Sequence, residues 1–357
     1  MRISIDIREA VKKKKAGKGW YTFEIVRALL QQNQADHFIL YADEPVDSTE
    51  WQQFKNAEIR VVQAKSFWWH WKVAREIRRE KPDIFFAPTS FIIPALLPKK
   101  QKTVIVVHDL VAWIFPKGNN QKAKIIEKLT LKKALKKAWK VVTVSQNTKK
   151  DLEKIFGNQN EKGIVIPCAA SEKFTPKSYN LEVINHQLLL AVGTLEPRKN
   201  YTTLIRAFEK AKVKADLVII GGKGWKYKKI LATARATTCA NRIYFKEYIS
   251  GEELVRYYNT AQMFIFPSLY EGFGIPLVEA MKSGCPIIAS NTSSIPEVVG
   301  DAGLLINPND ENELAEKIET LANSESLRKE LIEKGLKQAE KFSWKISAEK
   351  LKNLFNS

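Results

Sequence analysis

Short apolar runs alternate with stretches of helical periodicity through the first half of the chain. Runs of about four to eight apolar residues are typical of buried strands. Because helical patterns separate the runs, the alternation predicts βαβ units and parallel sheets. Six or more strands predict a complete Rossmann-like layer, and the candidates are Arg2–Ile7, His37–Ala42, Ile59–Val62, Ile84–Ala87, Thr103–His108, Val141–Ser145 and Ile164–Ile166.

The pattern restarts after a polar, poorly periodic stretch near residues 173–185. At 357 residues the chain is too long for one ordinary domain, so we expect an α/β protein of two doubly wound domains with ligands in the cleft between them. The predicted domains are 1–173 and 187–340, joined by a linker near 174–186, and a terminal helix at 341–357 can pack back on the first domain. Candidate strands of the second domain are Gln187–Gly193, Asp216–Gly221, Ile243–Phe245, Met263–Phe266, Pro286–Ala289 and Gly303–Ile306.

Composition indicates a soluble or peripheral protein of a reducing compartment. The three cysteines, Cys168, Cys239 and Cys285, follow no metal or disulfide pattern, which favours the cytoplasm. The residues from Met1 to Arg8 contain no apolar signal region. No apolar run approaches the roughly 18 residues that a membrane-spanning helix needs.

The formal net charge of +19 is concentrated in the first half of the chain. Residues 1–174 carry 33 Lys and Arg against 18 Asp and Glu, whereas residues 175–357 carry 25 against 21. A surface of that sign attracts anionic lipid, nucleic acid or a phosphorylated substrate. No recognised nucleic-acid-binding module or zinc-finger spacing occurs, so we expect no nucleic acid partner.

Two basic stretches also carry aromatic or apolar residues. In one interpretation the aromatic side chains belong to the core and the lysines form a solvated face. In the other, the stretches form an amphipathic surface that docks on anionic lipid headgroups to reach a lipid-linked acceptor. They are residues 67–72 (Phe-Trp-Trp-His-Trp-Lys), followed by Arg75, Arg78, Arg79 and Lys81, and Lys122–Lys140 with Ile125, Ile126, Leu129, Leu131, Leu135 and Trp139.

Residues 263–279 contain a predicted strand, a glycine turn and a helix start. Met263–Phe266 predicts a buried strand, Gly272 and Gly274 favour a tight turn with exposed backbone, and Pro276 suits the first helical turn. The N–H groups at such a helix start, together with the positive end of its dipole, favour an anion or a polyhydroxy ligand. The stretch therefore predicts a ligand site.

Glu271 lies in this turn, and Glu279 follows on the helix. Their separation along a largely helical path is about 12 Å, more than the roughly 5–9.5 Å between the acid and base of glycosidases. The two carboxylates are therefore expected to hold different parts of one ligand. The alternative is structural: Glu279 caps the first helical turn, and Glu271 is a solvated loop acid.

Two adjacent cations, Arg198 and Lys199, follow a predicted strand that ends at Gly193. Their loop lies at the carboxyl end of the strand, where a diphosphate would need charge neutralisation, by the fork of Arg and the point charge of Lys. Together with the glycine turn of the same domain, they predict an anion site. The chain has no Asp-x-Asp motif and no histidine or cysteine spacing typical of a metal site, so neither a metal nor a cofactor is expected.

In the first domain, Gly17 and Gly19 form a predicted glycine loop after the first strand and before an amphipathic helix. His108 and Asp109 end another predicted strand at the same edge. These four residues are candidates for the acceptor side of the cleft. For His108, positioning or proton-shuttling chemistry is expected, while the glycine pair alone is equally consistent with a simple turn.

These motifs resemble the retaining GT-B glycosyltransferases of family 4, also called group 1, over nearly the whole chain. In the second half the matching segments are Gly-Thr-Leu-Glu-Pro-Arg-Lys-Asn at 193–200, Gly-Gly-Lys-Gly-Trp at 221–225, Pro-Ser-Leu-Tyr-Glu-Gly-Phe-Gly-Ile-Pro at 267–276 and Ala-Ser-Asn-Thr-Ser-Ser-Ile-Pro-Glu-Val at 289–298. The first half has Gly-Lys-Gly-Trp-Tyr-Thr, Val-His-Asp-Leu and Val-Ser-Gln-Asn-Thr in order.

The resemblance implies transfer of a hexose from a nucleotide diphosphate donor, with retained anomeric configuration and without a metal. It implies that Arg198 and Lys199 hold the diphosphate, that Glu271 contacts the donor sugar, that Glu279 binds the ribose, and that His108 lies near the reacting carbon. In this family the donor phosphate is thought to take the acceptor proton on the same face. The other positions assigned to the donor are Gly193, Tyr248 in the segment 247–249 that frames the base, Gly272, Phe273, Gly274 and Leu277.

The first loop of the second domain looks most like the mannosyl- and rhamnosyltransferase-like branch, which makes GDP-mannose the preferred donor. The expected acceptor is a saccharide or a lipid-linked saccharide, in cell-surface polysaccharide or glycolipid synthesis. The expected location is the cytoplasm, with peripheral attachment to the inner face of the plasma membrane left open. Two other functions stay open: a GT-B-fold sugar-nucleotide epimerase or phosphorylase, of which the phosphorylase is disfavoured by the short chain, and a non-catalytic basic protein that binds membranes or nucleic acid.

Overall fold

The chain divides into two compact units. The structure, a computed structural model, describes residues 1–13, 15–46, 48–51, 53–115, 121–157, 162–178 and 187–357. One unit contains Met1–Cys168 together with Trp344–Ser357, and the other contains Ala169–Ser343.

The described part of the first unit contains a seven-stranded parallel sheet. Its order is β3-β2-β1-β4-β5-β6-β7, so the direction of winding reverses between β1 and β4, as in a Rossmann-like fold. Most of its central strand residues are fully buried, which explains their apolar composition. The strands are β1 Arg2–Asp6, β2 His37–Ala42, β3 Ala57–Val61, β4 Ile84–Ala87, β5 Thr103–Val107, β6 Lys140–Thr143 and β7 Gly163–Val165.

The helices of the first unit follow these strands in alternation, as the sequence predicts. Ser145 caps one of them, because its hydroxyl accepts a hydrogen bond from the N–H of Thr148. The helices up to the end of this sheet are α1 Gly17–Gln32, α2 Ser48–Trp51, α3 Ser66–Glu80, α4 Ile92–Leu96, α5 Val111–Ile114, α6 Gln121–Lys137 and α7 Gln146–Phe156.

The glycine pair of the first unit lies inside α1 and not in a loop before it. Gly17 begins the helix, and Gly19 belongs to its first turn. A Cβ at Gly19 would lie 2.6 Å from the carbonyl oxygen of Glu9, whereas one at Gly17 would meet nothing within 4 Å. The predicted glycine loop is thus wrong, and the second glycine permits close packing of the helix start against the preceding segment.

The described part of the second unit contains a six-stranded parallel sheet of order β10-β9-β8-β11-β12-β13. Two 3-10 segments, Pro197–Lys199 and Ala240–Arg242, lie in its loops. The strands are β8 Gln187–Val192, β9 Ala215–Ile220, β10 Ile243–Lys246, β11 Met263–Phe266, β12 Ile287–Ser290 and β13 Gly303–Ile306. The helices are α8 Tyr201–Lys210, α9 Tyr227–Arg235, α10 Gly251–Thr260, α11 Ile275–Lys282, α12 Ile295–Val299, α13 Glu311–Asn323 and α14 Glu325–Ala339.

The last helix, α15 Trp344–Phe355, belongs to the first unit. It packs against α1, where the rings of Trp344 and Tyr21 meet edge to face with centroids 5.6 Å apart. Lys352 donates to the carbonyl oxygen of Gln32 at 3.1 Å, and Ser347 donates to that of Pro167 at 2.7 Å. Residues 344–357 are therefore part of the core of a unit whose other residues end at Cys168.

The thirteen strands that the sequence predicts are all confirmed, with ends within two residues of the observed ones. The predicted domain boundary differs more, because the second unit begins at Ala169 and not after residue 173. Phe174 is buried against Tyr258, and Glu172 pairs with Lys282 at 2.9 Å. Part of the predicted linker is thus packed structure, and its residues 179–186 lie outside the described ones.

The aromatic stretch on α3 divides between core and surface. Trp69 is fully buried and donates through Nε1 to the carbonyl oxygen of Ala42. Trp68 and Trp71 are 64% and 40% exposed. On α6, Leu131 and Leu135 are buried, while Ile125, Ile126 and Leu129 are exposed. Across the described residues, no helix has both the length and the apolar character needed to cross a bilayer.

Candidate active site

The candidate donor site lies at the carboxyl ends of β8 and β11, which are neighbours in the second sheet. The strand order reverses between them, and ligands of open α/β sheets bind at such a switch point. The two loops that follow are tied together, since the N–H of Leu269 donates to the carbonyl oxygen of Arg198 at 2.8 Å. Arg198 Nη1 also donates to the carbonyl oxygen of Tyr270 at 2.6 Å.

Arg198, Lys199 and Glu271 form one ion-paired cluster at this point. Lys199 Nζ lies 2.6 Å from Glu271 Oε1, and Arg198 Nη1 lies 2.8 Å from Glu271 Oε2. On its other side, Arg198 pairs with Glu196 at 2.7 Å. Lys199 and Glu271 are both only 8% exposed. The sequence places these residues in one site, but it does not predict that the cations bind the glutamate directly.

The charges within the cluster perturb one another. Burial favours the neutral form of Glu271, but the charges of Arg198 and Lys199, with their hydrogen bonds, outweigh it and hold the pKa of Glu271 below its usual 4.5. Burial lowers the pKa of Lys199 from 10.5, against the attraction of Glu271. Glu271 is therefore an anion at neutral pH, and not the solvated loop acid of the structural alternative.

The glycine turn after β11 is held by two serines for which the sequence alone predicts no role. The N–H of Glu271 donates to Ser293 Oγ at 2.9 Å, and Ser294 Oγ lies 2.9 Å from the carbonyl oxygens of both Glu271 and Phe273. Gly274 ends the turn with φ of 106°, a conformation that favours glycine, and α11 begins at the next residue. The serines belong to the segment 289–298, so a matching motif was the only signal for them.

Two other positions assigned to the donor have packing roles. Leu277 is fully buried against Gly274, and its N–H donates to the carbonyl oxygen of Gly274 at 2.9 Å. Phe273 is 5% exposed, and its ring packs on Phe342 with centroids 5.5 Å apart. Gly272 lies between them and Glu271 in the same turn. These residues shape the turn from within.

Gly193 makes room for the buried lysine. It has φ of 147°, and a Cβ there would lie 3.0 Å from both Lys199 Cε and the Tyr201 hydroxyl oxygen. The Tyr201 hydroxyl donates to the carbonyl oxygen of Gly193 at 3.0 Å. A Cβ at Gly221 would lie only 2.0 Å from that same oxygen. The two glycines therefore let the loops after β8 and β9 approach each other closely beside Lys199.

Glu279 is held by a tyrosine that the sequence did not single out. The Tyr258 hydroxyl donates to Glu279 Oε2 at 3.0 Å. Burial raises the pKa of Glu279 to about 7, while the Tyr258 hydrogen bond and the charge of Lys173 act in the opposite direction. Glu279 is therefore not a cap of the first helical turn. It is a partly buried carboxyl group that can exchange a proton near neutral pH.

Tyr248, the residue assigned to the base, is 56% exposed on the loop that follows β10. Its neighbour Glu247 pairs with Lys223 at 2.5 Å. Lys223 follows β9, so the loops after β9 and β10 meet at the same edge of the sheet as the ion-paired cluster.

In the first unit, His108 is partly buried at the carboxyl end of β5. Its Nε2 lies 2.6 Å from the carbonyl oxygen of Pro88, and Tyr21 meets its ring edge to face with centroids 4.6 Å apart. Because a carbonyl oxygen only accepts, Nε2 carries the proton and Nδ1 is the acceptor. Burial, assisted by the charge of Lys18, lowers the pKa of His108 to about 4. The ring is neutral at pH 7, which favours positioning over proton shuttling.

Asp109 connects this histidine to the helix start of α1. Asp109 Oδ2 lies 3.8 Å from Lys18 Nζ, and Oδ1 accepts from the N–H of Val111 at 3.1 Å. Lys18 is the residue between the two glycines, so α1 brings their segment to the end of β5. Glu127 on α6 is close enough to respond to both charges: burial raises its pKa, Lys18 lowers it and Asp109 raises it. Glu127 belongs to none of the motifs that the sequence singles out.

These features define a protein of two Rossmann-like domains, the GT-B class, with a charged loop cluster at the switch point of the second sheet. Sequence profiles of known families match both parts: residues 16–173 match Glycosyltransferase Family 4, and residues 179–338 match Glycosyl transferases group 1. The chain belongs to this family of glycosyltransferases, as the motifs indicated.

Similar proteins support the same assignment. Over 279 residues the chain is 30% identical to the O-antigen chain mannosyltransferase B of Escherichia coli. The aligned region covers 74% of this chain and 72% of that protein. It is 28% identical to the serotype-specific mannosyltransferase WbdA of Escherichia coli, over 69% of this chain but only 32% of that longer protein. The crystal structure of HepE from Anabaena with UDP and glucose has the same fold, with a TM-score of 0.81, 17% identity and full coverage of both chains.

Proposed function

We propose that this glycosyltransferase moves mannose from GDP-mannose to a saccharide or lipid-linked saccharide, with retention of configuration and without a metal, in cell-surface polysaccharide or glycolipid synthesis. The observation that carries the proposal is the buried cluster of Arg198, Lys199 and Glu271 at the switch point of the second sheet. The choice of mannose is supported by the relatives, which are named mannosyltransferases.

The cluster suits a ligand that carries both phosphates and hydroxyls. Lys199 has three N–H donors and uses one on Glu271, and the two Glu271 oxygens have about four lone-pair sites between them. The cations can therefore hold a diphosphate while Glu271 accepts from sugar hydroxyls. Because the groups are buried and already oriented, their interaction with the departing diphosphate is stronger than in water. In this proposal Glu279 accepts from the ribose.

The reaction forms a bond between an acceptor hydroxyl oxygen and the anomeric carbon as the bond from that carbon to the donor phosphate breaks. The phosphate oxygen takes the hydroxyl proton on the same face, and the nucleoside diphosphate leaves. Glu271 is an anion that stabilises the sugar, and it does not need to act as a base. His108, with a pKa of about 4, accepts a hydrogen bond from a sugar hydroxyl through Nδ1 and stays neutral between pH 6 and 8.

Acceptor binding is assigned to the first unit, where Lys18, His108, Asp109 and Glu127 lie near one another. Carboxylates and a neutral imidazole suit sugar hydroxyls. Peripheral contact with the anionic inner face of the plasma membrane is also proposed, and it is supported by the excess of 15 positive charges in residues 1–174, from 33 against 18. We propose the cytoplasm as the compartment and expect no nucleic acid partner.

The test is incubation with GDP-mannose, GDP-fucose, UDP-glucose and dTDP-rhamnose, each with and without EDTA. Nucleoside diphosphate release and the anomeric configuration of the product, read by NMR, are the measurements. We expect release of GDP from GDP-mannose at a rate that EDTA does not change. We also expect an α-linked product from the α-configured donor. Release from another donor alone would exclude GDP-mannose, and a β-linked product would exclude retention. Sugar isomerisation without transfer would favour the epimerase, and binding of lipid or nucleic acid without any turnover would favour the non-catalytic protein.

A further inference from the structure

A basic pocket lies at the amino-terminal edge of the first sheet, opposite to the edge that carries His108. It has a volume of about 710 Å³. Its walls come from the segments that precede β4 and β5 and from the ends of α3 and α6. Because β5 has five residues, the pocket and His108 are separated by roughly 16 Å along the strand. The pocket is therefore distinct from the candidate active site.

Five cations line this pocket, against one carboxylate. The carboxylate, Asp83, accepts a hydrogen bond from the N–H of Arg2 at 2.7 Å. Among the described residues, no carboxylate lies within 4.0 Å of the charged nitrogens of the five cations. The cations are Arg78, Lys81, Lys100, Lys102 and Lys137.

Two of the five cations are positioned by the end of α4. Lys137 Nζ donates to the carbonyl oxygens of Ala95 at 2.6 Å and Leu97 at 2.9 Å, and Arg78 donates to that of Leu96. Burial, together with the like charges of Arg78 and Lys133, lowers the pKa of Lys137. These contacts fix the cations in place without neutralising them, so the pocket stays positive.

The other three cations of the pocket are not engaged with the carbonyl oxygens at the end of α4. Lys81, Lys100 and Lys102 are exposed, and Lys102 lies over the ring of Trp139 at 4.4 Å. If the pocket served only to satisfy the carbonyls of α4, Arg78 and Lys137 would be enough. Three further positive side chains around one concave surface instead favour an anionic ligand with several acceptor oxygens, such as a phosphate.

The surface next to the pocket indicates the source of the phosphate. Trp68, Trp71, Arg75 and Arg78 are spaced by three or four residues and form one stripe on α3. Arg75 lies over the ring of Trp71 at 5.8 Å, and all four residues are exposed. The stripe begins at the exposed tryptophans and ends in the pocket. Exposed tryptophan beside arginine suits the interface of a bilayer, where anionic headgroups meet acyl chains.

We propose that this pocket binds the phosphate headgroup of an anionic phospholipid, with Trp68 and Trp71 in the same bilayer interface. Proline and leucine side chains, Pro82, Leu96 and Pro98, line the pocket beside the cations and suit the glycerol and upper acyl carbons of a lipid. The inference rests on the membrane contact of the proposed function and assigns that contact to one site.

The test is co-sedimentation with vesicles of phosphatidylcholine containing 30% phosphatidylglycerol, with pure phosphatidylcholine vesicles as the neutral comparison. The pocket variant is Lys100→Gln with Lys102→Gln. The control is Lys150→Gln with Lys154→Gln, which removes the same charge from exposed positions of α7 outside the pocket. We expect the pocket variant to bind the anionic vesicles roughly 25-fold more weakly than wild type, which is about fivefold for each charge removed. The control variant should bind them at most about threefold more weakly.

If the two double variants lost vesicle affinity equally, the pocket would not be the binding site, and diffuse electrostatic attraction would explain the binding. Trp71→Ala separates lipid from free phosphate, because it should weaken vesicle binding but leave glycerol phosphate binding unchanged. Binding of glycerol phosphate or inorganic phosphate without any vesicle binding would overturn the lipid source. Thermal unfolding checks that each variant folds. Vesicle binding is measured without a sugar donor, so a failure of the lipid proposal appears as absent vesicle binding. A failure of the proposed function appears instead as absent sugar transfer to a soluble acceptor.

Discussion

Replacing Glu271 with Gln separates the structural role of the buried cluster from its role in transfer. The substitution keeps the size of the side chain but leaves Lys199 and Arg198 beside a neutral amide. Removing one partner of a buried ion pair costs about 3–5 kcal/mol, and the remaining hydrogen bonds place the expected loss at about 3 kcal/mol. For a unit of this size, that loss lowers Tm by about 6–12 °C.

A double-mutant cycle with Lys199→Met gives the sharper result. Lys199→Met removes the charge that Glu271 pairs with at 2.6 Å, so the double variant lacks both members of that contact. We expect it to be about 1–3 kcal/mol more stable than the sum of the two single losses predicts. Activity should not return, because the diphosphate has lost a cation, and kcat should stay at least about 100-fold below wild type.

The assays are urea unfolding for stability and nucleoside diphosphate release for activity. Glu196→Gln is the matched control, since Arg198 is the one ion-pair partner of Glu196 among the described residues and Glu196 lies at a more exposed position. It should cost about 1 kcal/mol or less. Strict additivity of the two single variants, or a Glu271→Gln protein as stable as wild type, would refute the buried ion pair.

Three further predictions follow from other parts of the two units. Since the folded pKa of Glu279, about 7, lies above its ordinary 4.5, the folded state binds the proton more tightly, and stability should fall by about 3 kcal/mol as pH rises from 4.5 to 7. Urea unfolding at pH 5 and 8 measures this, and Glu279→Gln should remove the contribution of Glu279 from the difference. His108→Ala should lower kcat/KM without removing any inflection of the pH profile between pH 6 and 7, because the pKa of His108 is about 4; loss of such an inflection in the variant would contradict the positioning role. Gly19→Ala should destabilise the protein by about 1–3 kcal/mol through its contact with the carbonyl oxygen of Glu9, whereas Gly17→Ala should be neutral or stabilising by about 0.5–1 kcal/mol in thermal unfolding.

Most strands were predictable because they are short apolar runs, and the central ones are buried on both faces of a parallel sheet. Helix starts near glycine were harder, because a glycine pair favours a turn as much as it permits close packing. At Gly19 the deciding fact is the approach of Glu9, a tertiary contact that local sequence does not contain. Phe174 is a second example. It lies in a polar stretch that resembles a linker, but its buried ring packs that stretch against the rest of the second unit, a contact that local sequence does not predict.

For the candidate site, the sequence predicts which loops come together but not which side chains within them pair. Arg198, Lys199 and Glu271 follow strands that a doubly wound sheet places side by side, so their neighbourhood follows from topology. Their direct pairing does not, because it depends on side-chain directions across two loops. The support of Glu279 by Tyr258 comes from a different helix, and no spacing along the chain connects the two residues.

The position of α15 has a consequence for how the protein is made. Residues 344–357 complete the packing of α1, yet the ribosome adds them after the entire second unit. The second unit can therefore finish folding while the first still exposes the apolar side of α1 around Tyr21. A fragment that stops at Cys168 lacks this helix, so attempts to express the first unit alone should fuse residues 344–357 to it through a linker. During synthesis, the interval before those residues emerge is when the first unit is most open to aggregation.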